Sequence, residues 1–380
     1  MVSVNSSCKR MTIVALVIMA ILSFVNPVIG DNIGAFQKID PNKIPDVLAM
    51  LAATTYENYE KIKTLKGQVS FGDMIIYRGV YAADRLKQNA GITIKEPNEL
   101  ADISEGVSEF KMDLKKNILF KNVKWPNPDN FIDFNSNAIY PSLSGAKERT
   151  NIITNEYELE SYPYTMEKDG TVLSRIAEKR KLNKSGIIKD ESDPRICFAI
   201  GRPVWELLSQ FSDGLRNYYR GDVNVFYDVV LEKKQTAKGS SYRVQLKNPG
   251  ATQPFEVFVL DGEKGFNPTY IEVINDNGVK ISEITTDFNE INGIFLPIQR
   301  QVLQYDGNSG LLRRQSDSTF RDLQVNISFP ENTFSINNLG LKNGEKFVDK
   351  IAGKEYKYQD ANLVPIAEPN NLPEPNNPSK

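Results

Sequence analysis

The chain contains no histidine, and this absence decides most of the chemistry open to it. Without an imidazole, Ser-His-Asp and Cys-His catalysis are impossible. The common zinc sites built from His and Cys lack their ligands as well. Two cysteines are present, Cys8 and Cys197. Cys8 precedes an apolar run and is followed by Lys9, the wrong place for a lipidated cysteine. Cys197 then has no internal disulfide partner, and no histidine activates its thiol, so it reads as a buried, inert residue. Carboxylate chemistry stays open on paper, since the chain carries 48 acidic residues. No spacing among them singles out a glycosidase-like pair. Asp306, Gly307, Asn308, Ser309 and Gly310 have the composition of a calcium loop. No Glu completes the twelve-residue pattern, so a hairpin turn is expected there. These residues predict a protein that is not an enzyme, with no catalytic residue, no metal and no cofactor.

The cations give a weaker signal. Arg175, Lys179, Arg180, Lys181, Lys184 and Lys189 crowd into fifteen residues and are followed by Asp190, Glu191 and Asp193. A solvated loop is expected, with a docking patch for an anionic membrane or partner as the alternative. The whole chain has a formal charge of −2, and losing Lys9 and Arg10 with a leader makes it more negative. That gives no drive toward nucleic acid.

The N-terminus carries the pattern of an export signal. Lys9 and Arg10 precede an apolar run over residues 11–25, and Pro27 and Gly30 close it. The run is short of the ~20 residues that span a bilayer and fits a secretory leader. Cleavage is expected after Gly30, with an uncleaved N-terminal anchor as the alternative. The mature protein is then periplasmic or extracellular, with peripheral membrane contact at most.

Two amphipathic helices are expected to position the apolar residues. The first covers residues 40–65: Ile44, Val47, Leu48, Leu51, Thr55, Tyr59 and Ile62 form one stripe, and Gly67 ends it. The second runs over residues 203–219, with Pro203 in its first turn and Val204, Leu207, Leu208, Phe211 and Leu215 on one face. A strand follows the first helix at residues 68–71. A hairpin is expected at 107–114 and 118–125. Residues 85–106 and 126–150, rich in Asn, Pro, Ser and Gly, read as loops.

Turn signals recur through residues 222–328, among them Asp261 with Gly262, Asn277 with Gly278, and Asn292 with Gly293. The β-rich runs between them predict an antiparallel meander. Long antiparallel strands twist and curl, and the concave face needs a filling or a lid, for which the two helices are suited. In the run 280–289, Lys280 stands on one face and Glu283 and Asp287 on the other, which argues against a lipid-exposed barrel. A closing pair of short strands is expected near residues 344–358. The tail, 362–380, is rich in Pro and Asn and expected to be disordered.

The order of these pieces resembles the LolA-like group of exported lipoprotein carriers and lipid-binding proteins. The resemblance lies in Tyr59 to Gly67 leading into the first strand, in Phe110 to Phe120, in Gly265-Phe266-Asn267-Pro268, in Gly293 to Pro297, and in Phe334 through Asp349. It implies an α+β, mainly β fold: a curved antiparallel meander, or half-barrel, with one or two amphipathic helices packed in or over its concave face. One such domain would span residues 31–361, with insertions near 85–106 and 126–200. It also implies a soluble carrier or binding domain for acyl chains or lipidated proteins of the cell envelope. A non-enzymatic regulatory module on the same fold, contacting an envelope protein, is the alternative. Candidate ligand-binding residues are Trp205, Leu208, Phe211, Phe258, Ile271 and Ile281, although for each of them ordinary core packing is the commoner role of such a residue.

Overall fold

The computed structural model describes residues 35–93, 99–125, 130–134, 136, 138–141, 147–166, 172–182, 203–222 and 227–366. The expected leader, Cys197 and the tail from 367 onward lie outside the described residues.

The late meander forms as its turns dictate. Strands β10 (Asp228–Gln235), β11 (Ser240–Lys247), β12 (Glu256–Asp261), β13 (Asn267–Ile274), β14 (Lys280–Ile291), β15 (Ile294–Tyr305) and β16 (Leu312–Val325) pair in sequence, all antiparallel. Asn292 (φ 54°) and Gly293 (φ 75°) make the two-residue β14–β15 turn. Both central residues have positive φ, the backbone that matches the twist of the flanking strands.

The sheet does not stop at β16. That strand pairs with β2 (Thr64–Arg78), which pairs along its whole length with β3 (Glu99–Asp113). The sheet continues through β4 (Ile118–Trp125), β7 (Lys147–Ile153), β8 (Tyr157–Met166) and β9 (Val172–Lys181). Strands β5 (Asn130–Asp133) and β6 (Ala138–Pro141) branch from the first part of β3. A parallel pairing joins β9 to β17 (Lys346–Asp349), and β18 (Lys354–Gln359) and β19 (Asn362–Pro365) close that side. The short β1 (Gln37–Lys38) lies beside β10 at the opposite edge. The result is a mainly β, mostly antiparallel open sheet with three helices: α1 (Ile44–Glu60), α2 (Val80–Ala90) and α3 (Val204–Arg220).

Several sequence expectations need correction. The first helix ends at Glu60, well before Gly67, which lies inside β2. Asn326 takes the helix end instead: it accepts from Lys63 N–H at 2.8 Å and donates to the Lys61 carbonyl at 3.0 Å. The partner sits more than 260 residues away, so no local pattern announces the stop. Residues 85–106 hold most of α2 and the start of β3. Among the described side chains of α2, Ala82 and Leu86 alone are fully buried, too thin a stripe to show helical periodicity. Residues 126–150 hold β5, β6 and the start of β7, strands too short to stand out. Arg175, Lys179, Arg180 and Lys181 form strand β9 rather than a loop. Arg175 pairs with Glu148, Lys179 with Asp349 at 3.5 Å, and Arg180 with Glu158 and Glu160. Lys184 and Lys189 fall outside the described residues. Asn362–Pro365, expected in the disordered tail, pair with β18 as strand β19.

Candidate functional site

Cross-strand register fixes which side chains share a face. Leu231, Val244, Phe258, Ile271, Ile284 and Val302 stand opposite one another in turn across β10 to β15. The same row continues through Ser316, Asp73 and Ser104 on β16, β2 and β3. One face of the sheet is therefore apolar along its first half and polar along its second.

The apolar half is covered by α1 and α3. Leu48 and Leu51 of α1 and Leu207, Leu208, Phe211 and Leu215 of α3 pack with Phe258, Ile271 and Ile284 in one cluster. This stripe follows from the three- and four-residue spacing in both helices. The helices are also tied to each other. Ser212 donates to the Pro45 carbonyl at 2.7 Å, and Arg216 pairs with Asp46 at 2.9 Å. The Trp205 ring lies 4.5 Å from that of Tyr59.

Polar contacts pin α1 to the sheet side. The Thr55 hydroxyl donates to the Phe266 carbonyl at 3.0 Å. Asn58 pairs with the backbone of Phe295 as another strand would, donating to its carbonyl at 2.9 Å and accepting from its N–H at 2.8 Å. The bonds of Ser212, Arg216 and Tyr219 on α3 run to α1 and the turn before it. On the sheet, α3 rests its apolar stripe.

The sequence candidates separate in the structure. Leu208, Phe211, Phe258 and Ile271 are buried together in the cluster, and Trp205 packs at its margin between the helices. Ile281 is not brought to them. Val273 pairs with Ser282 and Ile274 with Lys280, so Ile281 is the extra residue of a β-bulge. The bulge also turns Lys280 to the outer face, where it pairs with Glu283. On that face Tyr270 donates to Glu272, and burial, with that acceptor, pushes its phenol well above the ordinary range. Strict alternation over residues 280–289 put Lys280 on the face of Ser282 and Ile284, opposite Ile281; the bulge separates Lys280 from them.

A second row escaped the sequence reading. Thr286, Arg300, Ser318, Phe71 and Gly106 stand opposite one another across β14, β15, β16, β2 and β3, beside the first row and on the same face. Phe71 meets Trp125 edge-on, with centroids 6.2 Å apart. A Cβ on Gly106 would stand 2.4 Å from Phe71 Cζ, so the ring lies directly over that glycine. Helix α2 covers the far side of this face, packing Ala82 and Leu86 on Leu100 and Phe131. The only sequence signal for the row was Arg300, a charge in an otherwise neutral stretch of β15; its partners depend on register across four other strands.

At Asp306 the structure shows the expected turn: its carboxylate accepts from the N–H groups of Asn308 and Ser309 and from the Ser309 hydroxyl. These bonds hold its pKa below the usual carboxylate range. Among the described residues no helix is long and apolar enough to cross a membrane.

No family model matches the sequence, and no curated protein matches it. Solved structures do. A DUF1329 family protein from Desulfovibrio piger is similar at 12% identity and TM-score 0.35, covering 79% of this chain and 100% of that one. A putative outer membrane lipoprotein-sorting protein domain from Vibrio parahaemolyticus matches at 9% identity and TM-score 0.34, covering 78% and 99%. A LolA superfamily protein from Nitrosomonas europaea matches at 13% identity and TM-score 0.32, covering 76% and 99%.

Proposed function

We propose that this protein is an exported, non-enzymatic binding protein of the cell envelope that takes an acyl chain, free or on a lipidated protein, against the apolar half of its inner face. The observation that carries the reading is the row of apolar side chains on that face, Phe258, Ile271 and Ile284, on which α3 lays Leu207, Leu208, Phe211 and Leu215. Hydrogen bonds fix the neighbouring helix, α1, to the backbone at Phe266 and Phe295.

Apolar contact is non-directional and exchangeable. Burying the five stripe residues of α3 is worth about 10 kcal/mol, at roughly 2 kcal/mol each. Withdrawing the ~14 methylenes of a C16 chain from water gains about 11 kcal/mol at ~0.8 kcal/mol per methylene. The two nearly balance, so a chain can take the place of the α3 stripe on Phe258, Ile271 and Ile284. The apolar half is closed by side chains in this structure, so entry requires α3 to lift while α1 stays.

Native mass spectrometry of the purified protein, with uptake of a fluorescent fatty acid, tests this. Stoichiometric acyl adducts and saturable uptake are expected. Protein that shows neither, after refolding from a lipid-free state, would remove the proposal. Mass determination of the envelope form also checks the leader, with a chain beginning at Asp31 expected.

A further inference from the structure

We infer that Arg300, with Thr286 and Ser318, forms an oxyanion subsite at the border of the apolar half, so that the ligand is an anionic amphiphile rather than a neutral acyl chain. The inference rests on the acyl-binding reading and adds the head group to it.

Three observations converge. Arg300 makes no hydrogen bond or ion pair among the described residues, and its Nε is buried without a partner. The nearest acid in the neighbouring row, Asp73, is already met by Arg314 at 2.7 Å and by the Ser316 hydroxyl at 2.6 Å. Among the described residues the positive charge of Arg300 is therefore uncompensated. Thr286, directly opposite, is 3% exposed, and its Oγ1 also lacks a partner. Buried polar groups are ordinarily satisfied, and exceptions call for an explanation. Two side by side on a sheet face, one cationic, leave donors that suit an oxyanion. The guanidinium fork matches a carboxylate or a phosphate, and the hydroxyls of Thr286 and Ser318 add donors on either side.

Position sets the rest of the ligand. Val302 and Ile284, next in the adjoining row, begin the apolar half under α3. A head group held at Arg300 thus has an apolar track starting beside it. The ligand is an oxyanion on a long apolar tail, such as a fatty acid or the phosphate end of a lipid.

The test is competition against a dansyl-labelled undecanoic acid on the full chain, with palmitate, hexadecanol and lysophosphatidate as competitors. The wild type is expected to prefer palmitate over hexadecanol by about tenfold or more, as one charge-assisted contact gives. Arg300→Gln is expected to erase that preference through a loss of palmitate affinity of about tenfold or more. Arg300→Lys, which keeps the charge and loses the fork, is expected to fall between. Lysophosphatidate competing better than palmitate, with the same dependence on Arg300, supports the subsite and names a phosphate head. Equal affinity for palmitate and hexadecanol in the wild type, or a preference surviving Arg300→Gln, overturns the inference and leaves acyl binding standing. Failure of every competitor and of the probe itself overturns both.

Discussion

Replacing Asn58 with Ala is expected to loosen the attachment of α1 to the sheet more than any exposed contact could. Asn58 is 4% exposed and makes two bonds to Phe295, at 2.9 and 2.8 Å. Each buried hydrogen bond is worth about 1 kcal/mol net, and each backbone group left unpaired costs about 1–3 kcal/mol. Phe295 is half-buried, so water reaches part of the vacated site and the lower end applies. The loss works out at about 2–3 kcal/mol. With an m-value of about 3 kcal/mol per molar in urea, the midpoint moves down by nearly ~1 M. Asn58→Asp separates shape from chemistry: the carboxylate keeps an acceptor for Phe295 N–H but faces the carbonyl without a donor, and a loss at least as large is expected. Urea unfolding followed by circular dichroism gives the shift, and hydrogen exchange gives the local effect at the Phe295 amide. A midpoint within about 0.3 M of wild type, with that amide still protected, would show that α1 is not held by this pair.

Three other outcomes are expected from the same structure. Phe258→Ala, at a site 1% exposed, is expected to cost about 3–5 kcal/mol, while Ile281→Ala on the bulge costs under about 1 kcal/mol; equal urea midpoints would contradict the placement of Ile281. Gly67→Ala puts a Cβ 2.6 Å from Leu323 Cδ2 and 3.0 Å from the Arg321 carbonyl, and is expected to destabilise by about 1–3 kcal/mol in the same assay. Acid should release β17 from β9. Burial alone would raise Glu178 and Asp349, but hydrogen bonds from Lys350 and Tyr162 to the first, and from Ala352 and Ile351 N–H to the second, hold both below their ordinary values. Carboxylates depressed in the folded state stabilise it above about pH 4 and lose that contribution as pH falls through their folded values. Amide exchange in β17 should therefore rise below pH 4 earlier than in β12; simultaneous loss would count against this junction.

Much of the fold was legible where local chemistry is decisive. Asn292 and Gly293 fix a two-residue turn with their own backbone preferences, and the stripes of α1 and α3 repeat at helical spacing. Leu208, Phe211, Phe258 and Ile271, which the sequence offered as candidate lining residues, share one buried cluster. What escaped depends on partners distant in sequence. Asn326 ends α1 from the far side of the chain, and α2 buries too few side chains to show a period. The bulge at Ile281 shifts register by one residue, and a one-residue shift reverses which face a side chain meets. Arg300, Thr286 and Ser318 are unremarkable in sequence and become a group only when β14, β15 and β16 are aligned.

The central claim, that α3 lifts from the sheet to admit an acyl chain, is tested most directly by a protein whose sole tryptophan is Trp205. The chain has two tryptophans, and Trp125→Phe leaves the one that packs against Tyr59 at 4.5 Å. Titration with palmitate should change Trp205 emission in a saturable, one-site manner as that contact opens, with adduct mass rising in parallel. Palmitate that binds without altering Trp205, or no binding at any concentration below micelle formation, would contradict the account.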